Sequence, residues 1–224
     1  MSSVVPTPAP AQQGMPLKLI GSPTATELEE MHLILHDLQQ ASRAMKVWAK
    51  KYAPREGGMD DETQLISMSM ARDAIVQFVG CFDNKAKIKL SAEEVFAHIE
   101  HGVSFFNSLK DIRDSYAAHR FGPMRQCVAG VVVSSDGKMV GPGHLMQQLF
   151  PMDDEHVGPF LIMIEAAGKF AAKRCDELAD KLKAEASAMT LDALAALPVA
   201  RTTAPSAEQI RMSRERFRSK TEPK

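Results

Sequence analysis

Apolar residues recur along much of this chain at alternating steps of three and four, the period of a helix with one greasy side. The first run opens near Thr24 or Thr26 and carries Leu28, Met31, Leu35, Leu38, Ser42, Met45, Ala49 and Tyr52. It stops at "APREGG", where Pro54 and the glycines cannot continue a helix. A second run starts at Asp60 or Asp61, acids that suit a helix N-terminus. It lines up Leu65, Met68, Ile75, Val79 and Phe82, with Arg72 on or beside the stripe. Ser91 with Glu94 reads as a capping box opening a third helix. Its seam is Val95, Ile99, Gly102, Phe106, Leu109, Arg113 and Tyr116, and Gly122-Pro123 is its outer limit, because a residue before proline avoids helical dihedrals. A fourth helix, from about Asp153 to Met189, carries Val157, Leu161, Ile164, Gly168, Ala171, Cys175, Leu178 and Leu182, and "TLDALAAL" follows as a short cap.

Between the third and fourth runs the period changes. In "QCVAGVVVSSDGKMVGPG" the valines favour a strand and "SSDG" is a turn signal, so a small hairpin or irregular insert is expected near residues 127–143, with a short helical turn over His144 to Phe150. Four long amphipathic segments with short connections predict an all-α fold, an antiparallel bundle over residues 24–197. Residues 1–23 are rich in Pro, Ser, Ala and Gln and read as a disordered lead, with "LKLI" touching the body. Residues 198–224 form a polar, basic tail with few apolar anchors, expected to order only on contact.

Composition sharpens two points. The net charge of -1 hides an asymmetry: from Val199 onward there are seven Lys/Arg against three acids, so an acidic body carries a basic tail. That tail suits either phosphates or a protein partner. The three cysteines are odd in number and form no CxxC pair. That pattern points to a reducing compartment, with Cys81 and Cys175 as small buried thiols. No apolar run reaches 18 residues and no secretory signal opens the chain, so a cytoplasmic protein without a membrane span is expected.

The chemistry centres on "DIRDSYAAHRFG", residues 111–122. Arg113 falls where the seam calls for an apolar residue, and a guanidinium taken out of water needs a partner. One reading is structural: Arg113 snorkels to the bundle's end, or pairs with an acid such as Asp37 or Asp73. The other is functional and involves His119. Six residues of ideal helix rise about 9 Å and turn about 600°, which sets the two side chains about 120° apart. They converge only if the helix loosens before Gly122-Pro123 or if a second chain supplies the other half.

Arg113-Asp114 followed by His119 resembles the signature of HEPN proteins, an Arg, a polar residue and a His a few places beyond; the wider string "LKDIRDSYAAH" is similar to the helix end of abortive-infection-type members. The resemblance extends over about residues 24–190. It implies a homodimer whose two-fold axis joins both motifs in one cleft, and a metal-independent endoribonuclease of defence or toxin-antitoxin systems. On that basis the RNA 2′-hydroxyl attacks the neighbouring phosphate, His119 is general base or acid, Arg113 stabilises the phosphate charge and Asp114 orients one of them. Lys110, Arg120 and Arg125 would steer the polyanion. The chain departs from the pattern in two places: five residues separate Arg113 and His119 where four is common, and Phe121 stands where some members carry a modified Tyr.

Other candidates are weaker. His98 and His101 in "HIEH" share a helical face at i, i+3, but no third ligand has telling spacing, so neither a metal nor a cofactor is expected. "SSDGKMVGPG" lacks the order of a phosphate loop. The competing class is a non-catalytic helical interaction protein, with Arg113 as a structural staple and the basic tail as a recruiting element.

Overall fold

The computed structural model describes residues 17–52, 59–82, 88–117, 125–148 and 154–200, with Glu208 and Arg211; the side chains of 116–117, 125–127, 145–148 and 154 lie outside the description. The described residues are mostly helical, with one small antiparallel sheet of two strands. They group into two units, Ser22–Lys183 and the chain ends, Met1–Gly21 with Ala184–Lys224.

Helix α1 (Pro23–Lys51) starts where Ser22 accepts a hydrogen bond from the Ala25 amide at 3.2 Å and Pro23 supplies a preset first turn. Its buried row is Ala25, Met31, Ile34, Leu38, Ala41, Met45 and Trp48. This corrects the expected seam: Leu35 and Ser42 are only half-buried and Ala49 is exposed. Both rows contain apolar residues, and the row holding the indole, the largest apolar surface, is the one that turns inward. Trp48 donates to Ser67 Oγ at 2.8 Å, and Ser67 in turn donates to the Tyr52 carbonyl at 2.6 Å.

Helix α2 (Asp61–Gly80) is capped by Asp60, which accepts from the Thr63 amide at 2.8 Å. Its buried residues are Ser67, Ala71, Ala74, Ile75, Phe78 and Val79. Leu65 and Arg72, expected on or beside the stripe, are exposed, because the buried face is centred on Phe78 and the small residues that let α1 approach.

The single third helix expected from Ser91 is two helices. Ser91 caps α3 (Ala92–Phe96) by accepting from the Glu94 amide at 3.3 Å. The chain then turns through residues 97–101, with His101 at φ 59°, and resumes as α4 (Gly102–Ala117). A Cβ at Gly102 would lie 3.0 Å from the Cβ atoms of both Phe96 and Ile99, so the turn closes over a position that needs a bare backbone. The apolar period runs unbroken across the turn, which is why periodicity did not reveal it.

Strands β1 (Arg125–Val133) and β2 (Met139–Gln148) form the hairpin. Gly137, at φ 80°, makes the tip, and Ser134 ties it by donating to Asp136 and accepting from the Lys138 amide. The expected helical turn after His144 is instead strand: Ala129 pairs with His144 and Val128 with Leu145. Cross-strand pairing overrides the local preference of "HLMQQ".

Helix α5 (Asp154–Ser187) carries Pro159 in its second turn. It buries Val157, Phe160, Met163, Ile164, Ala167, Ala171, Cys175 and Leu178, and Arg174 binds Glu27 of α1 at 2.5 and 3.1 Å. Five phenylalanines knit the centre: Phe78 meets Phe82, Phe96, Phe106 and Phe160 at centroid distances of 5.2–6.2 Å, and Phe82 meets Phe106 at 4.7 Å.

The chain ends form their own small structure. Helix α6 (Leu191–Ala196) is capped by Thr190, which accepts from the Ala193 amide at 3.2 Å. Lys18 pairs with Val199 in an isolated bridge and donates to the Ala195 and Leu197 carbonyls, both at 2.8 Å. Among the described residues, no helix is long and apolar enough to cross a membrane.

Candidate functional site

The Phe82–Phe106 contact anchors one face of α4 beside the end of α2. From Phe106, steps of four and three along that face reach Lys110 and Arg113. The segment leading into α3 supplies the opposite wall. Together they enclose a cavity of about 250 Å³ lined by Val79, Phe82, Leu90 and Phe106 below and by Lys89, Ser91, Glu93, Asn107, Lys110 and Arg113 at its rim. That is smaller than the ~300–1,000 Å³ usual for cofactor or drug-sized ligands.

Arg113 is largely buried, with 19% of its side chain exposed. Its Nε and Nη2 both donate to Asp114 Oδ1, at 2.8 and 2.7 Å. Two bonds from one edge of the guanidinium to a single oxygen set the plane of the group. The sequence offered Asp37 or Asp73 as the acid to meet it; the acid seen here is its chain neighbour, and Asp73 accepts from Gln77 at 2.6 Å. Glu93 is the one acid on the rim. Its own backbone amide and the Ser91 hydroxyl hold its carboxyl below the ordinary carboxylate range. Lys89, Lys110 and Arg113 line the same cavity, and the Arg113 charge is met by Asp114.

Of the residues predicted from sequence, Lys110, Arg113 and Asp114 are brought together. His119 and Arg120 lie outside the described residues. Arg125 opens β1, and its side chain is outside the description. Sequence reasoning missed Lys89 and Asn107. Asn107 carried a usable signal, since it lies three residues before Lys110. Lys89 reaches the cavity only through tertiary placement.

The two histidines of "HIEH" do not share a helical face. They sit in the turn between α3 and α4, both exposed, with His101 3.7 Å from Glu100. Phe105 stacks on a different imidazole, that of His156, at 6.2 Å. Among the described residues no cluster of three or more His, Cys, Asp or Glu is arranged to hold a metal ion. Cys81 and Cys175 are buried and unpaired with each other. Burial pushes the Cys81 thiol up to about 12, with the nearby Asp37 carboxylate adding to the effect. A thiol held neutral in this way is a poor nucleophile.

No family model, curated protein or solved structure matches this chain.

Proposed function

We propose that this chain is a HEPN-like, RNA-directed protein acting in the cytoplasm, a metal-independent endoribonuclease of a defence or toxin-antitoxin system. In this reading the long helices form an antiparallel bundle of four, and two copies join their motifs across a two-fold axis. The observation that carries the proposal is Arg113: a guanidinium on the core side of α4, its plane set by Asp114, lining a cavity whose rim also holds Lys110 and Lys89. What supports a phosphate there is charge: Lys110 and Lys89 lie beside the Asp114-held guanidinium on one cavity lining.

The chemistry follows from that assignment. The 2′-oxygen of a ribose bonds to the adjacent phosphorus while the bond to the 5′-oxygen breaks. His119 takes the 2′-hydroxyl proton or returns one to the leaving 5′-oxygen. Arg113 stabilises the charge that grows on the non-bridging oxygens, and Asp114 positions Arg113. Lys110, Arg120 and Arg125 hold neighbouring phosphates. The scheme needs neither a metal nor a cofactor.

The test is incubation of the full chain with structured and single-stranded RNA in the presence of chelator, beside His119→Ala. Cleavage lost in the variant supports the reading. Cleavage that persists unchanged removes His119, and no cleavage of any RNA favours a second reading. That reading is a non-catalytic interaction protein that recruits a partner through its basic tail. One observation favours it: the hairpin presents exposed valines on both its faces.

A further inference from the structure

The hairpin gathers several exposed large apolar residues on two paired strands. Val128, Val131, Val132, Val133, Met139 and Val140 are each 51–71% exposed. Strand alternation puts Val128 and Val132 on one face and Val131 and Val133 on the other. A two-stranded ribbon is marginal in water; three or more strands are needed for independent stability. Its strands are 9 and 10 residues long.

The two outer edges differ. Natural proteins protect exposed strand edges with Pro, charge or bulges, because open N–H and C=O groups invite another strand. β2 carries such devices: Pro142 lacks an N–H, and the register slips between Val132 and Val133 so that Val140 is an extra residue bulging from β2. Gly143 is also held bare, since a Cβ there would lie 2.7 Å from Val132 Cγ2. β1 has none of these. From Gln126 to Val133 it contains no proline, no charge and no bulge of its own.

We infer that the β1 edge is a dimerisation surface: a second copy of this chain pairs its own β1 antiparallel to it, with the two-fold axis at Gly130, to make a four-stranded sheet ordered β2-β1-β1-β2. The occupant follows from the strand itself. A two-fold contact must be self-complementary. Centred on Gly130, the uncharged stretch Cys127–Val133 lies opposite its own copy, with no like-charge clash anywhere in the ladder. Val128 then faces the partner copy's Val132 on one side of the sheet, and Ala129 faces Val131 on the other. Gly130 meets Gly130, with open space where a Cβ would stand. The sheet passes the strand count at which sheets become stable, and β1 loses its open edge. This contact goes beyond the functional reading and does not depend on RNA chemistry.

The test is sedimentation equilibrium of the full chain. The wild type is expected to be a dimer. Val128→Lys combined with Val132→Lys places two Lys–Lys pairs directly across the new ladder and is expected to raise the dissociation constant at least about tenfold. Val128→Lys combined with Val132→Glu makes those pairs opposite in sign and restores the dimer. Gly130→Cys guards against misfolding of the charged variants: under mild oxidant it should give a covalent dimer, while Val140→Cys on the bulged strand should not. A monomeric wild type at tens of micromolar overturns the inference, as does equal dimerisation of the Lys/Lys and Lys/Glu variants. If the chain is dimeric but unaffected at these positions, the inference falls while the two-copy premise of the functional reading stands. RNA cleavage in chelator, read separately, decides the functional reading.

Discussion

At the scale of single residues, Arg113 breaks the apolar rule of its helix and lines a cavity. An apolar side chain at that step would only have extended the floor made by Phe82 and Phe106. The guanidinium instead ends at the rim, held by Asp114. Arg113→Gln shortens the side chain, keeps it polar and removes its charge, so on the proposed function RNA affinity measured by filter binding at fixed low salt should fall about tenfold or more, with a shallower salt slope. Asp114→Asn should lower turnover more than affinity, since it leaves the cation in place and frees its plane. Buried polar residues make a separate prediction. Ser67 is fully buried between the Trp48 indole and the Tyr52 carbonyl. Ser67→Ala removes an acceptor and a donor together and should cost about 1–3 kcal/mol in denaturant unfolding. Cys81 gives a pH dependence. Its thiol titrates at about 12 in the fold against an ordinary 9.0, so the neutral form is the one the fold favours. The associated stability is complete below pH 9.0 and is lost as pH rises toward about 12. Alkaline unfolding of Cys81→Ala should lack that component.

At the scale of elements, much was legible because helix period and capping chemistry are local. Ser22, Asp60, Ser91 and Thr190 each accept from an amide three residues on, and Ser91 was readable in advance from its spacing to Glu94. The choice between adjacent apolar rows was not legible, since it depends on which row meets the large rings of other helices. Trp48, Phe78 and Phe160 decided that, and none lay on the rows first read. The break at 97–101 was hidden for a similar reason: its apolar steps stay in phase. Only Gly102 marked it. Gly102→Ala adds a better helix former, yet its methyl would press on Phe96 and Ile99. Overpacking of that kind costs about 1–3 kcal/mol, more than the ~1 kcal/mol gained in propensity, so thermal unfolding should move to lower temperature. Of the site itself, Lys110, Arg113 and Asp114 were readable because they share two turns of one helix. Lys89 was not, because a strand of chain from elsewhere brings it there.

At the scale of the whole molecule, the chain combines an aromatic-centred helical core, a cationic cavity on that core and a hairpin with one unprotected edge. The core carries the first demand on the fold: Phe78→Ala, which opens space among four other rings, should cost about 3–5 kcal/mol and loosen the cavity floor through Phe82 and Phe106. The functional account asks for something narrower, a phosphate attacked by its own ribose under one guanidinium and one imidazole. The direct measurement is the end chemistry of RNA fragments produced by the full chain in chelator. The account predicts 2′,3′-cyclic phosphate and 5′-hydroxyl ends from the wild type, and intact RNA with Arg113→Gln or His119→Ala. Fragments bearing 5′-phosphate ends, or RNA that the wild type leaves whole, would contradict it.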